Sequence, residues 1–181
     1  MKHLYIALIC VLSLSLSANA QQKKAEFFQG FENLEAGKDV SKVQKKKLNT
    51  WGKVKFTVTE EEGKGFNKSS KYASSSDHEN ATLVLYRDLE VGATYVFSAA
   101  VKITGTDVDW KTNYSVKVAS GKKGDIHQYG TDKVQEPGAN KWQHHEVKFT
   151  VVEGRENVML QVYRWAKDVT LNVDDFKLVK K

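Results

Sequence analysis

TYVFSAAVKI, residues 94–103, places Tyr95, Phe97, Ala99, Val101 and Ile103 on every second position. A period of two is the signature of a half-buried strand, because successive side chains leave a strand on opposite faces. The same pattern recurs on both sides of this stretch. Val54, Phe56 and Val58 precede it; Tyr114, Val116 and Val118, then Val147, Phe149 and Val151, then Val158, Leu160 and Val162 follow. Turn-forming residues separate the runs, at Glu62-Gly63-Lys64-Gly65, Val91-Gly92, Gly121-Lys122-Lys123-Gly124, Glu136-Pro137-Gly138 and Glu153-Gly154. The one helical signal is a weak one over Asp39 to Leu48, enough for a turn or two. Many short strands with regular turns predict an all-β chain, an antiparallel β-sandwich of the jelly-roll kind.

The first twenty residues, MKHLYIALICVLSLSLSANA, fall outside this pattern. A short basic start, an apolar stretch and an Ala18-Asn19-Ala20 ending read as a secretory signal, residues 1–20, and place the protein outside the cell or in the periplasm. The apolar stretch is too short and too Ser-rich for a stable anchor, and no other segment is apolar enough to span a membrane. Cys10 as a lipidation site is disfavoured, because the apolar run continues past it. A polar lead, residues 21–25, then opens one domain, residues 26–181, with no linker-like stretch to divide it. Cys10 is the chain's only cysteine. Its removal with the signal leaves packing, or a bound metal, to hold the fold. The 28 Lys and Arg fall to 27 without Lys2, which against 22 Asp and Glu leaves a charge of +5. An exported basic protein is poorly placed to meet nucleic acid, and acidic polysaccharide is the more reasonable partner.

Near the C-terminus, in NVDDFKLVKK, residues 172–181, the alternation breaks. Leu171 and Val173 keep one phase, Phe176 and Leu178 the other, and the break falls at Asp174-Asp175. A one-residue slip of this kind predicts a β-bulge. This ending and three further segments carry a resemblance. FFQGFENLEAG, YRDLEVGATYVFSAAVKI, NKWQHHEVKFTV and VMLQVYRWAKDVTLNVDDFKLV occur in an order that resembles the β-sandwich carbohydrate-binding modules of families 4, 9 and 22. The resemblance implies a non-catalytic module for a polysaccharide or oligosaccharide. It implies that Trp142 packs in the core at a strand start. It also implies a structural calcium where the first strand lies beside the last, held by Glu32 of the first strand and by Asp174 or Asp175 of the last. The chemistry agrees, since calcium takes hard carboxylate and carbonyl oxygens.

Sugar recognition needs aromatic faces for the ring and polar groups for its hydroxyls. Tyr163 and Trp165 run out of phase with Val158, Leu160 and Val162, Gln161 shares their side, and Arg164 is adjacent. Trp110 stands in a polar stretch, and Tyr129 shares one side of its strand with His127. Trp110, Tyr129, Tyr163 and Trp165 are therefore the candidate platform, with Gln161 and Arg164 as hydrogen-bonding partners. The guanidinium and the basic balance favour an acidic glycan. Two other readings compete. Jelly rolls also host polysaccharide lyases, which use a His or Tyr as base or acid and an Arg to neutralise the sugar carboxylate, roles open to His127, Tyr129 and Arg164. An adhesive or structural surface module is the other. Neighbouring His144 and His145 point to opposite faces of a strand and cannot chelate together.

Overall fold

The computed structural model describes residues 26–43, 48–51, 54–75, 80–105, 114–122, 124–133, 140–165 and 169–181. The leader and polar lead assigned to residues 1–25 lie outside these. The chain opens with β1 (Phe27–Gln29), a single helical turn α1 (Val40–Val43), β2 (Asn49–Trp51) and β3 (Phe56–Glu60). It continues through β4 (Lys71–Ser75), β5 (Ala81–Asp88), β6 (Thr94–Gly105) and β7 (Tyr114–Lys122). It closes with β8 (Asp125–Lys133), β9 (Gln143–Thr150), β10 (Asn157–Arg164) and β11 (Val169–Lys180). The alternating runs thus became β3, β6, β7, β9 and β10, and the weak helical signal became α1.

Every strand pairing is antiparallel. The first sheet runs β3-β4-β11-β6-β9, with β1 added to β11. The second runs β2-β5-β10-β7-β8. Burying the apolar phase of each strand forces the two sheets face to face. Phe56, Phe97, Leu171 and Phe176 of the first meet Leu83, Leu85, Leu160 and Val162 of the second in one core. The segment VKFTV, which occurs at Val54 and at Val147, supplies β3 and β9, the two outer strands of the first sheet.

The bulge predicted at the paired aspartates is present: the β6–β11 register shifts between Asp174 and Lys177. Its position has a topological reason. One edge of β11 pairs with β4 through Asn172 and Val173, then with β1 through Phe176 to Leu178. The bulge sits where one partner gives way to the other. Asp175 adopts a positive φ of 45° there, a conformation that aspartate tolerates better than most residues. Phe176 thereby returns to the core phase, 4.7 Å from Phe97 by ring centroids.

Beyond the core, Tyr114 of β7, His145 of β9 and Asp132 of β8 clasp the two sheets along one edge. The Tyr114 hydroxyl lies 2.9 Å from His145 Nε2, and Asp132 Oδ2 lies 3.2 Å from His145 Nδ1. His145 points inward while His144 stacks on Phe66 outside, as their adjacency in a strand predicts. Trp142 departs from expectation. It sits one residue before β9 with the outward phase, half-buried on the exposed face of the first sheet beside Tyr72 and Phe66.

Candidate functional site

β10 is the middle strand of the second sheet, so its outward residues form the centre of that sheet's open face. Val158, Leu160 and Val162 point to the core; Met159, Gln161 and Tyr163 point away from it. Pairing extends each of the three into a row across the strands. Trp51, Thr82, Tyr163 and Ser115 make one row. Val84, Gln161, Lys117 and Thr131 make the next, and Tyr86, Met159, Ala119 and Gln128 the third. Val84, Ala119 and Met159 form a small apolar floor.

Two aromatic pairs stand on this face. Trp51 Nε1 donates to the Tyr86 hydroxyl at 2.8 Å, with ring centroids 6.5 Å apart. Tyr163 and Trp165 lie 5.1 Å apart with their planes inclined by 37°. The Tyr163 hydroxyl donates to Asn80 Oδ1 at 3.3 Å, which fixes the ring. Trp51, Tyr86 and Trp165 remain 40%, 38% and 39% exposed, a large aromatic surface left open to solvent. Between the pairs lies a cleft of about 460 Å³, lined by Trp51, Asn80, Thr82, Lys117, Gln161 and Tyr163. Its volume falls in the range of small-ligand sites, and its lining offers flat rings beside amide, hydroxyl and ammonium groups.

Of the six predicted platform residues, Gln161, Tyr163 and Trp165 share this face. Arg164 does not: the alternation that exposes Tyr163 turns Arg164 inward, opposite Ala81 and Tyr114, and it is fully buried. Tyr129 also faces inward. It is the extra residue of a bulge, since Val118 pairs with Gly130 while Ala119 pairs with Gln128. Its ring packs 5.3 Å from Phe149, and its hydroxyl donates to the Arg155 carbonyl and accepts from Val152 N–H. Trp110 lies outside the described residues. The lyase set is also dispersed. His127 and Tyr129 touch, at 4.6 Å between ring centroids, but Arg164 pairs at the other end of β7. Sequence reasoning missed Trp51, Tyr86, Lys117, Asn80 and Thr82. In ATLVLY, residues 81–86, both faces of the strand are mostly apolar, so the phase that exposes Tyr86 is invisible.

The residues expected at a metal sit at the seam between β1, β11 and the connection from β3 to β4. Glu32 lies in the turn after β1 rather than within the strand. Its carboxylate accepts from Ser70 N–H, Lys71 N–H and the Ser70 hydroxyl. The Lys71 amide is the main cause that holds its pKa below the usual carboxylate value. Asp174 is buried and accepts from the Ser69 hydroxyl at 2.7 Å, from Phe66 N–H and from Asp175 N–H. Burial still outweighs these donors and pushes Asp174 up to about 6; burial raises Asp175 as well. Calcium would need roughly six to eight oxygens. Among the described residues no three His, Cys, Asp or Glu side chains group closely enough to hold a metal ion. The donor set therefore fits calcium in part: carboxylates are at hand, but backbone carbonyls or water would have to complete the shell.

The sequence matches no protein-family profile and no curated protein. The fold does find counterparts among solved structures. The C-terminal family 22 carbohydrate binding module of Clostridium thermocellum Xyn10B superposes with a TM-score of 0.63 at 13% identity, over 86% of this chain and 92% of that one. The CBM22-1 xylan-binding domain from Paenibacillus barcinonensis Xyn10C gives 0.59 at 15%, over 87% and 95%. A CBM4 structure gives 0.56 at 15%, over 84% and 97%. Among the described residues no helix is long and apolar enough to cross a membrane. At such identities the likeness is one of architecture: the chain has the fold of the β-sandwich carbohydrate-binding modules.

Proposed function

We propose that this protein binds a polysaccharide without cleaving it, along the open face of the second sheet. The observation that carries the reading is the pair of aromatic couples, Trp51 with Tyr86 and Tyr163 with Trp165, exposed around a cleft lined by amide, hydroxyl and ammonium groups. Sugar rings stack on such faces, and Gln161, Thr82 and Asn80 present partners for their hydroxyls. The likeness in fold to a xylan-binding domain supports a glycan as the ligand class. Lys117 in the cleft and the basic balance of the chain favour a polymer bearing carboxylates. Export through the N-terminal leader and a calcium ion at the Glu32–Asp174 seam belong to the same reading. Calcium is supported by the burial that raises both Asp174 and Asp175, a cost that a cation would relieve.

The test is electrophoresis of the chain from Gln21 through gels containing xylan, a neutral β-glucan or an acidic polymer such as alginate, with the same polymers assayed for new ultraviolet absorbance. Retardation without new absorbance is the expected result. New absorbance would establish a lyase instead, and free migration in every gel would remove the glycan reading.

A further inference from the structure

The first sheet carries a second recessed site, on the face opposite the aromatic cleft. A solvent-facing sheet ordinarily shows exposed polar side chains, yet here two of them are buried: Asn172 is 3% exposed and Lys102 is 9% exposed. Register brings them together, because Asn172 pairs with Ser74 on one side and Lys102 on the other. Asn172 is held rigidly. Its Oδ1 accepts from the Ser74 hydroxyl at 2.6 Å, and its Nδ2 donates to the Lys102 carbonyl at 3.1 Å and to Thr104 Oγ1 at 3.3 Å. Around it opens a pocket of about 470 Å³, the size of the cleft on the other sheet.

Tyr72 lines this pocket, and Trp142 stands beside it against Tyr72 and Lys102. The two rings meet edge-on at 5.5 Å, and Trp142 Nε1 donates to the Lys64 carbonyl at 2.8 Å. The Lys102 ammonium lies 4.8 Å from each ring centroid and donates to the same carbonyl at 3.3 Å. Among the described residues it makes no other hydrogen bond, although an ammonium has three donors. Two rings, one carbonyl and the charge of the Glu61 carboxylate thus hold a largely desolvated cation that keeps hydrogen-bonding capacity to spare. The rest of the lining is polar, hydroxyl and amide from Thr59, Ser74, Thr104 and Asn140 with Lys64 as a second cation, which suits a polyol and not an apolar ligand. Glu61 shares the lining, so the pocket carries both signs of charge and disfavours a multiply charged anion such as phosphate.

We propose that this pocket binds a single uronic acid ring, free or at a chain end, with its carboxylate on Lys102 and its hydroxyls on the Thr59–Ser74–Thr104 lining. The site is separate from the aromatic cleft, and its existence does not depend on that cleft binding polymer.

The experiment is a titration of the ¹⁵N-labelled protein with D-glucuronic acid, followed through the Trp142 indole N–H and the Asn172 amide, with D-glucose as the neutral arm. Both signals are expected to shift with glucuronic acid and to stay still with glucose. Lys102→Met should weaken binding at least about tenfold, and Thr59→Tyr, which fills the pocket from the strand β3 side, should do the same. The double variant Trp51→Ala/Tyr163→Ala should bind glucuronic acid unchanged even where it loses polymer. No shift with glucuronic acid, equal shifts with glucose, or shifts that survive both Lys102→Met and Thr59→Tyr would overturn the proposal.

Discussion

Tyr163 and Arg164 are neighbours in the chain and end on opposite sides of a sheet. Tyr163 joins Trp165 in the open, while Arg164 is sealed among core residues. Trp51→Ala and Tyr163→Ala are therefore expected to weaken polysaccharide binding at least about tenfold each, ~1.4 kcal/mol, in isothermal titration. Arg164→Ala should instead show its effect in the melting temperature, because it acts on the interior. His145 makes a second residue-scale prediction. Burial holds its pKa below the ordinary value of 6.5, against the opposing pull of Asp132. The folded protein then binds fewer protons at this site than the unfolded chain does. Its contribution is complete above about pH 6.5 and is lost as the pH falls below that. His145→Gln is expected to cost about 1–3 kcal/mol near neutrality, because Tyr114 and Asp132 lose a buried partner, and to flatten the acid side of the stability profile. Urea melts of both proteins at several pH values check this. The comparison with the variant is needed because Asp174, pushed up to about 6, has the opposite slope: its folded form holds its proton more tightly, so it loses stability as the pH rises.

At the scale of the element, the bulge in β11 is a junction. It lets one strand edge serve β4 and then β1, and it aims Asp174 at the Phe66 amide and the Ser69 hydroxyl. The phase change between Val173 and Phe176 makes it legible in the sequence, since a period-two pattern shifts phase where a residue is inserted. Asp175 at φ 45° is the inserted residue's cost. Asp175→Gly should leave stability level or raise it by up to ~1 kcal/mol, because glycine adopts this conformation freely. Asp175→Val should lower stability by about 1–3 kcal/mol, because a β-branched side chain clashes there. Thermal unfolding of the pair decides it: similar stabilities would mean the positive φ carries no strain. β5 shows the converse. Ala81, Leu83 and Leu85 line the core while Val84 caps the apolar floor outside, so its sequence reads as continuous apolar and conceals which face Tyr86 takes. Tyr129 was misplaced for a related reason: the bulge in β8 has no break in apolar phase to announce it.

On the scale of the molecule, the first and last strands meet. β1 and β11 are partners, and the seam between them gathers Glu32, Asp174 and Asp175 with the β3–β4 connection. An ion bound there would tie segments far apart in sequence. Calcium at about a hundred times its dissociation constant would add ~2.7 kcal/mol, roughly 5–10 °C in a chain of this size. Chelator should lower the melting temperature by that amount and calcium should restore it. An unchanged melt would leave the seam to its amide and hydroxyl donors alone. The sandwich also presents two outward faces with different furniture, an aromatic cleft on one and the Lys102–Asn172 pocket on the other. The two proposed sites lie on opposite sides of the core, so substitutions in one are expected to leave binding at the other unaltered.

Alternation along the chain settled the all-β sandwich, the existence of most strands and the position of the β11 bulge, because strand phase is a local property of consecutive side chains. It also put Gln161, Tyr163 and Trp165 on one side of β10. Which strands would lie beside β10 was not local. Only long-range pairing brought Trp51 and Tyr86 to that face, stood Trp142 outside the core against Lys102, sealed Arg164 in the interior and turned Tyr129 half-buried against Phe149.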